Sequence, residues 1–261
     1  MFTADHIPGK AMGIYAHPDD AEFTVAGTLS RWARGGCEVT LVSITSGNSG
    51  THDTRFTRES LARTREEEAR ASARVLGISR VVFLGHGDCE LVPTMALRRE
   101  LVRQIRTHRP EVVLCNDPQA LFFENRYINH PDHRAAGQAA LDAAFPCSEM
   151  ELLWPEEGPA HAVRAVYVSS THSPNTVIDI TDTIDLKIAA LREHGSQLGE
   201  RDPSEMIRAW GMREAARIPE VAAAGGSVPG GKGGGSGTGP PAVRYAESFR
   251  VMILKPSPPR E

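Results

Sequence analysis

Short apolar runs alternate with longer segments of helical composition along the first part of the chain. The runs that predict buried β-strands lie at 11–15, 38–44, 80–84 and 111–115. The segments that predict helices lie at 25–33, 58–76, 95–108 and 131–144. Because strand and helix alternate, the pattern predicts a parallel sheet with right-handed crossovers.

The rest of the chain continues with shorter elements. Strands are expected at 163–168, 176–180 and 244–254, and helices at 204–216 and from Thr181 or Asp182 to about 197. Residues 222–241 are rich in glycine and low in complexity, which predicts a flexible loop. Since a strand pattern resumes after it, this loop is an insertion within one domain over residues 1–261.

The predicted fold is α/β, a three-layer Rossmann-like sandwich with a mainly parallel sheet. In a doubly wound sheet of order 3-2-1-4, the first and fourth strands are neighbours and the winding reverses between them. Ligands of such sheets bind at this switch point, outside the carboxyl ends of the strands. Residues that follow the first and fourth strands are therefore the candidates for a site.

Two polar turns follow these two strands. Ala-His-Pro-Asp-Asp-Ala-Glu (16–22) comes directly after the first strand, and His-Pro-Asp-His (130–133) opens the helix beyond the fourth. Pro131 suits the first turn of that helix. Histidine and carboxylate groups at two adjacent strand ends predict a metal site.

The spacing within the two turns suggests roles for their side chains. A hydrolytic zinc site uses three His or carboxylate ligands and one water. His17 and Asp20 can point to one side of their turn, so they and one histidine of the second pair are the expected ligands. Asp19, whose side chain should point away from that of Asp20, is then the general base. The remaining histidine would donate a proton or stabilise an oxyanion, and Asp132 would orient it.

Each of the two turns also has a simpler interpretation. Either turn alone could be only a helix cap, but two at neighbouring strand ends favour chemistry. The loop at 45–50 lacks the glycine fingerprint of a nucleotide site, which disfavours a nucleotide-binding protein. The histidines without comparable context are expected at the surface: His6, His52, His86, His108, His161 and His172.

Composition narrows the class of protein. The formal net charge is -4 with no long basic run, which argues against nucleic acid as a partner. The four cysteines are scattered and form no CxxC pair, so free thiols in a cytoplasmic protein are expected. No stretch predicts a signal peptide or a membrane span.

The two His/Asp turns together resemble those of the PIG-L/LmbE family of zinc-dependent N-deacetylases. Weaker likenesses follow in the family's order along most of the chain: Thr64-Arg65 with Glu68, Phe83-Leu84-Gly85 with Asp88, 194–197, and 245–250. The chain departs from the family at Phe23, where relatives often have glycine. Members of this family remove acetyl groups from N-acetylglucosamine-type substrates and their conjugates.

The resemblance implies a role for each matching residue. It implies that His17, Asp20 and His133 bind zinc, or ferrous iron, with Asp19 as the base. It makes His130 the acid or oxyanion partner, and it matches Arg65 and Asp88 to positions that contact the sugar.

The function expected from the resemblance is deacetylation of an amino-sugar substrate by a cytoplasmic homo-oligomer. The alternatives are an amidase that cleaves a larger acyl group from a sugar conjugate and a metal-containing binding protein without turnover.

Overall fold

The structure, a computed structural model, describes residues 2–230 and 243–254, and within them nine strands and nine α-helices. The strands are β1 (Lys10–Tyr15), β2 (Glu38–Thr45), β3 (Arg80–His86), β4 (Val112–Asn116), β5 (Phe122–Phe123), β6 (Tyr127–Ile128), β7 (Ala165–Ser169), β8 (Thr176–Asp179) and β9 (Ala246–Ile253). The helices are α1 (Asp20–Thr24), α2 (Ala26–Arg34), α3 (Arg58–Leu76), α4 (Met95–His108), α5 (Pro131–Ala144), α6 (Ile184–Arg192), α7 (Gly195–Leu198), α8 (Ser204–Ala215) and α9 (Ile218–Ala223).

Seven of the strands form one sheet, in the order β3-β2-β1-β4-β7-β9-β8. The first five of these run parallel, and β9 lies antiparallel between β7 and β8. The predicted order 3-2-1-4 is confirmed, as is the mainly parallel α/β fold. The sheet therefore has its switch point between β1 and β4, the two strands that precede the polar turns.

Both faces of the sheet are covered, which explains why β1 is apolar without alternation. Met12 and Ile14 pack in a core cluster with residues of α4 and α5. Ala11 and Tyr15 pack in a second cluster, on the other side, with residues of α2 and α3. The result is three layers, with the central strand buried on both sides.

The helix predicted to start at Thr181 or Asp182 differs from the structure. It begins at Ile184, ends at Arg192, and resumes as the short α7 after His194. The hydroxyl of Thr181 accepts the backbone N–H groups of Arg244 and Tyr245 instead of capping a helix. Thr181 therefore fixes the entry into β9, a long-range contact that local capping rules do not detect.

The start of α2 is capped by a side chain of β9, which is far away in the sequence. Val25, at the N-cap position, provides no side-chain bond. The buried carboxylate of Glu247 on β9 instead accepts the backbone N–H groups of Gly27 at 3.0 Å and Thr28 at 2.8 Å. It also accepts from Lys187 Nζ at 2.5 Å. This buried ion pair joins α2, α6 and β9 and satisfies two of the free helix donors.

The predicted flexible loop at 222–241 lies only partly within the described residues. Its first residues end α9 and then form a bridge in which Ser227 exchanges backbone hydrogen bonds with Asn175 and Val177. Residues 231–241 lie outside the described part of the chain, and the flexible loop stays a prediction there. Among the described helices, none has both the length and the apolarity needed to cross a bilayer.

We expect Glu247→Ala to lower the free energy of unfolding by about 3–5 kcal/mol, because it leaves Lys187 buried and unpaired. Glu38→Ala is the matched control, since Glu38 forms an exposed pair with Lys10 and should change stability little. Urea unfolding followed by circular dichroism measures both variants. An equal, small effect in the two variants would contradict the role given to the buried pair.

Candidate metal and catalytic site

The turn after β1 holds an unusual backbone conformation. Asp19 has φ 107°, in the left-handed region that L-residues rarely occupy. The backbone N–H of His17 donates to Asp20 Oδ2 at 2.9 Å, which closes the turn onto the start of α1. As a consequence the two adjacent carboxylates diverge, as expected from the sequence: Asp20 meets the histidines, and Asp19 meets a cation on α3.

That cation is Arg65, which is 3% exposed. Its guanidinium donates to the carbonyl oxygens of Pro18 at 2.7 Å and Gly47 at 3.0 Å, and it lies 3.2 Å from Asp19 Oδ2. A Cβ at Gly47 would lie 2.1 Å from the guanidinium, so only glycine allows this approach. Arg65 thus holds the turn in its strained conformation. A backbone conformation of this kind costs about 1–3 kcal/mol relative to a common one.

The second turn opens α5 beside the first. His130 is the N-cap of α5, and His133 lies in its first turn. The ring centroids of His17 and His130 are 4.8 Å apart, and each of these rings lies 5.3 Å from that of His133. The pairing of β1 with β4 therefore brings three imidazoles together, as the predicted strand order requires.

Asp20 contributes a carboxylate to this histidine cluster. Its Oδ1 lies 3.0 Å from His133 Nε2, and its Oδ2 lies 3.6 Å from His17 Nδ1. The outer nitrogens have other partners: His133 Nδ1 meets Asn129 Oδ1 at 3.1 Å, and His17 Nε2 meets carboxylates. Ligating histidines usually bond through their second nitrogen in this way, so the inner faces are free to hold a divalent ion.

By distance alone, two groups of three described residues could hold a metal. His17, Asp88 and Asp132 each place a ligand atom within 4.8 Å of the others, and so do His17, His130 and His133. However, the carboxylates of Asp88 and Asp132 already accept backbone N–H groups, from Ser49 at 3.0 Å and from Cys89 at 2.7 Å. The group that contains Asp88 and Asp132 is therefore better suited to orienting His17, whose Nε2 lies 3.0 and 3.2 Å from the two carboxylates.

The structure corrects the role that the sequence suggested for Asp132. The sequence suggested that its carboxylate orients His130, but that carboxylate meets His17 and loop amides. What reaches His130 is the backbone N–H of Asp132, which donates to His130 Nδ1 at 3.2 Å. Because Nδ1 accepts, a neutral His130 carries its proton on Nε2.

The buried charges shift the pKa values in opposite directions. Burial lowers the pKa of His130, and the neighbouring His17 and His133 lower it further. Burial alone would also lower the pKa of His17, but Asp20, Asp132 and Asp88 raise it to about 12. The negative field that favours a proton on His17 would equally favour a metal cation.

The two aspartates of the first turn also differ in their pKa values. Burial would raise the pKa of Asp20, yet His133 and His17 hold it well below its usual range. Burial raises the pKa of Asp19 to about 6, against the opposing effect of Arg65. Adjacent residues therefore have different proton affinities, which is typical of sites with an acid–base function.

Arg65 and Asp88, the residues expected to contact a sugar, both line the cavity of the site. Their polar atoms are nevertheless largely engaged within the protein, Arg65 with the Asp19 turn and Asp88 with His17 and Ser49. Both residues are buried. Both residues therefore hold the turn at 17–20 in place as well as lining the cavity.

Sequence reasoning missed Asn129, and it noted His194 only as part of the segment 194–197 that resembles the family. Asn129, the partner of His133, directly precedes the His-Pro-Asp-His turn, and this adjacency is the signal that could have found it. His194 is fully buried with Nε2 3.4 Å from Glu22 Oε1, behind the first turn. Nothing local in the sequence distinguishes that buried pair from a surface one.

The site opens into a cavity of about 940 Å³. Its inner end is formed by both His/Asp turns and by Asn116 at the end of β4. Its outer walls come from the β5–β6 hairpin and from α8, neither of which carries a motif predicted to be functional. The cavity is of a size that accepts small organic ligands.

Comparisons with known proteins identify relatives of this chain. A model of the family PIG-L, described as GlcNAc-PI de-N-acetylase, matches residues 12–144. A diacetylchitobiose deacetylase of Thermococcus kodakarensis is 36% identical over 195 residues, which cover 73% of this chain and 71% of that protein. The matched family segment contains every residue assigned above to the two turns.

Solved structures share the fold. The N,N′-diacetylchitobiose deacetylase of Pyrococcus horikoshii, complexed with its inhibitor MPG, has a TM-score of 0.78 at 29% identity and covers 94% of this chain and 84% of its own. GalB, the 4-carboxy-2-hydroxymuconate hydratase of Pseudomonas putida, has a TM-score of 0.73 at 22% identity, with 97% of this chain and 99% of its own covered. The likeness to GalB concerns the fold alone.

We expect Arg65→Lys to lower the free energy of unfolding by about 2 kcal/mol, because an ammonium cannot reproduce the fork that bonds two carbonyls and Asp19. Arg63→Lys on the exposed face of the same helix is the control and should leave stability unchanged. Urea unfolding of the two variants tests this. Equal stability of both would show that Arg65 does not support the turn.

Proposed function

Because the chain belongs to the PIG-L (GlcNAc-PI de-N-acetylase) family, we propose that it is a metal-dependent hydrolase that deacetylates an N-acetylglucosamine-type substrate. The observation that carries this proposal is the divergence of the two adjacent aspartates. Asp20 contacts the histidine cluster, whereas Asp19 contacts Arg65 and lines the cavity. One carboxylate is thus available as a ligand and the other as a base.

We assign His17 Nδ1, Asp20 and His133 Nε2 as the metal ligands. The support is that both histidine nitrogens lie beside the Asp20 carboxylate, at 3.6 and 3.0 Å, while the outer nitrogens of the two rings contact carboxylates and Asn129. Four carboxylates, those of Asp19, Asp20, Asp88 and Asp132, surround this point, and Arg65 is the cation among them. The site therefore suits a divalent cation.

We propose zinc as that cation, with ferrous iron as the alternative. When bound, a divalent metal supplies Lewis-acid activation of water and of the acetyl carbonyl. The ligand set of two imidazoles and one carboxylate is one that catalytic zinc sites use. Elemental analysis of the purified protein distinguishes the two metals.

Asp19 is proposed as the general base that takes a proton from the attacking water. A carboxyl group whose pKa lies at about 6 is ionised near neutral pH and still basic enough to accept a proton. Its bond to Arg65 orients one oxygen, and 12% of the side chain remains exposed towards the cavity. The base is thereby held in place before substrate arrives.

His130 is proposed to stabilise the oxyanion that forms on the acetyl group. Its Nδ1 accepts from the Asp132 backbone, so a neutral ring presents an N–H at Nε2. Burial and two neighbouring histidines lower the pKa of His130, which favours this neutral form. A neutral donor fits the stabilisation of developing negative charge better than it fits general-acid catalysis. Asp132 in turn positions both His130 and His17.

Two alternatives remain distinguishable by product analysis. An amidase for a larger acyl group would release a longer carboxylic acid than acetate from a sugar conjugate. A metal-binding protein without turnover would release no carboxylic acid. Asp19 and His130 disfavour this alternative, because binding alone needs neither residue. The fold alone does not distinguish these alternatives, because GalB has the same fold and is named as a hydratase. Acetate release from N-acetylglucosamine conjugates is the deciding measurement.

We further propose that one domain carries this activity and acts in the cytoplasm as a homo-oligomer. All four cysteines are free, which fits a reducing compartment. Large apolar side chains such as Leu152 and Val92 are exposed at 96% and 61%, which fits burial between copies of the chain. Light scattering coupled to size exclusion measures the oligomeric state.

Metal removal gives the first functional prediction. Prolonged chelation should abolish acetate release, and added zinc should restore it, because activation of water depends on the bound ion. Metal content and rate are measured on the same samples. A chelated sample free of metal by elemental analysis yet fully active would overturn the proposed mechanism.

The adjacent aspartates give the sharper prediction. Asp20→Ala removes a ligand, so both metal affinity and kcat should fall. Asp19→Asn should retain the metal but lose on the order of a hundredfold in kcat, because the amide cannot accept the proton. Added metal should not rescue Asp19→Asn.

Metal content by elemental analysis beside kcat separates the outcomes. If Asp19→Asn loses the metal and Asp20→Ala keeps it, the two roles are reversed. If both variants keep metal and activity, the turn is only a helix cap and the proposed function is wrong.

A further inference from the structure

The cavity continues from the catalytic turns to an aromatic wall. This wall consists of Phe23 on α1 together with Ile207, Trp210 and Gly211 on α8. Trp210 is 38% exposed, although large aromatic side chains are normally more deeply buried. An exposed indole inside a cavity is a surface that a ligand can cover.

Phe23 holds the indole at a fixed position relative to the catalytic site. The two ring centroids lie 6.3 Å apart at an interplanar angle of 50°. Phe23 itself packs against a buried cluster that includes Ile180, Ile184 and Ile207. It follows Asp20 by three residues on the same short helix, so about one helical turn separates the wall from the proposed metal ligand.

Four of the charged groups that line the cavity have partners within the protein. Lys187 and Glu247 form their buried ion pair, and Glu214 accepts from Ser248 and pairs with Arg217 at 3.2 Å. The four residues of the wall are themselves uncharged, so the surface that the wall offers a ligand is aromatic and aliphatic, while Glu124, Arg126 and Arg213 line the cavity elsewhere. Such a surface matches the C–H face of a neutral sugar ring, whose hydroxyl groups can remain directed to the polar rim.

We propose that Trp210, held by Phe23, is a specificity-determining residue that stacks against a neutral sugar ring attached to the N-acetylglucosamine unit. This inference rests on the proposed function, because the acetylated ring must occupy the catalytic end for the attached ring to reach the wall. It also explains the bulk of Phe23 after the Asp-Asp turn. A glycine at that position would leave the indole without its support.

The test compares acetate release from N-acetylglucosamine, N-acetylglucosamine 1-phosphate and N,N′-diacetylchitobiose. In the wild-type protein kcat/KM should be highest for the disaccharide. Trp210→Ala should lower kcat/KM for the disaccharide by about tenfold and leave that for N-acetylglucosamine within about twofold. Trp210→Phe should retain most of the preference. Met212→Ala, an exposed residue of α8 that does not line the cavity, is the matched control.

Sugar binding is measured separately, so that the two proposals can fail independently. In the Asp19→Asn background, N,N′-diacetylchitobiose should change the indole emission saturably, and Trp210→Phe should abolish that change. Equal kcat/KM values for the single sugar and the disaccharide in all variants would overturn the role of Trp210 but leave deacetylation standing. A higher kcat/KM for N-acetylglucosamine 1-phosphate than for the disaccharide would also overturn the role of Trp210. Saturable binding to the Asp19→Asn variant, together with no acetate release from the wild-type protein, would support the role of Trp210 and reject the proposed function.

Discussion

The parallel pairing of β1 with β4 is the constraint on which the site depends. Ala11 lies opposite Val112 and Gly13 opposite Leu114, so the two strands end at the same edge of the sheet. On its other side β1 packs closely against β2, because a Cβ at Gly13 would lie 2.8 Å from the side chain of Leu41. β1 and β4 then each deliver a histidine- and aspartate-containing turn to one point. Neither turn alone supplies enough ligands for a metal.

Most of the fold could be predicted because burial leaves a strong pattern. Strands covered on both faces are continuous apolar runs, and the helices between them have caps or periodic apolar residues, so β1 to β4 and α3 to α5 are found nearly where expected. The start of α6 was wrong because Thr181 bonds to residues far along the chain. Long-range hydrogen bonds of this kind have no local sequence pattern.

The candidate site shows the same division. The site residues of the two turns can be predicted from residue type and strand order, whereas the groups that contact them cannot. The carboxylate of Asp132 was expected at His130 but lies at His17, because backbone amides of Cys89 and Leu91 draw it away from its own turn. Trp210 was missed because an aromatic residue on a helix gives no hint of whether it faces core, solvent or cavity. Residue spacing in the sequence predicts the type of chemistry, but the geometry of the site depends on tertiary contacts that the spacing does not reveal.

The left-handed backbone at Asp19 has an evolutionary consequence. Few residues tolerate that conformation without strain, chiefly glycine and asparagine besides aspartate itself. A single nucleotide change converts an aspartate codon into a codon for either of them. The mutations that the fold accepts most readily at this position are therefore ones that remove the proposed base and spare His17, Asp20 and His133. Under the proposed function, a gene duplicate of this protein would have a short path to a non-catalytic descendant that keeps the three proposed metal ligands.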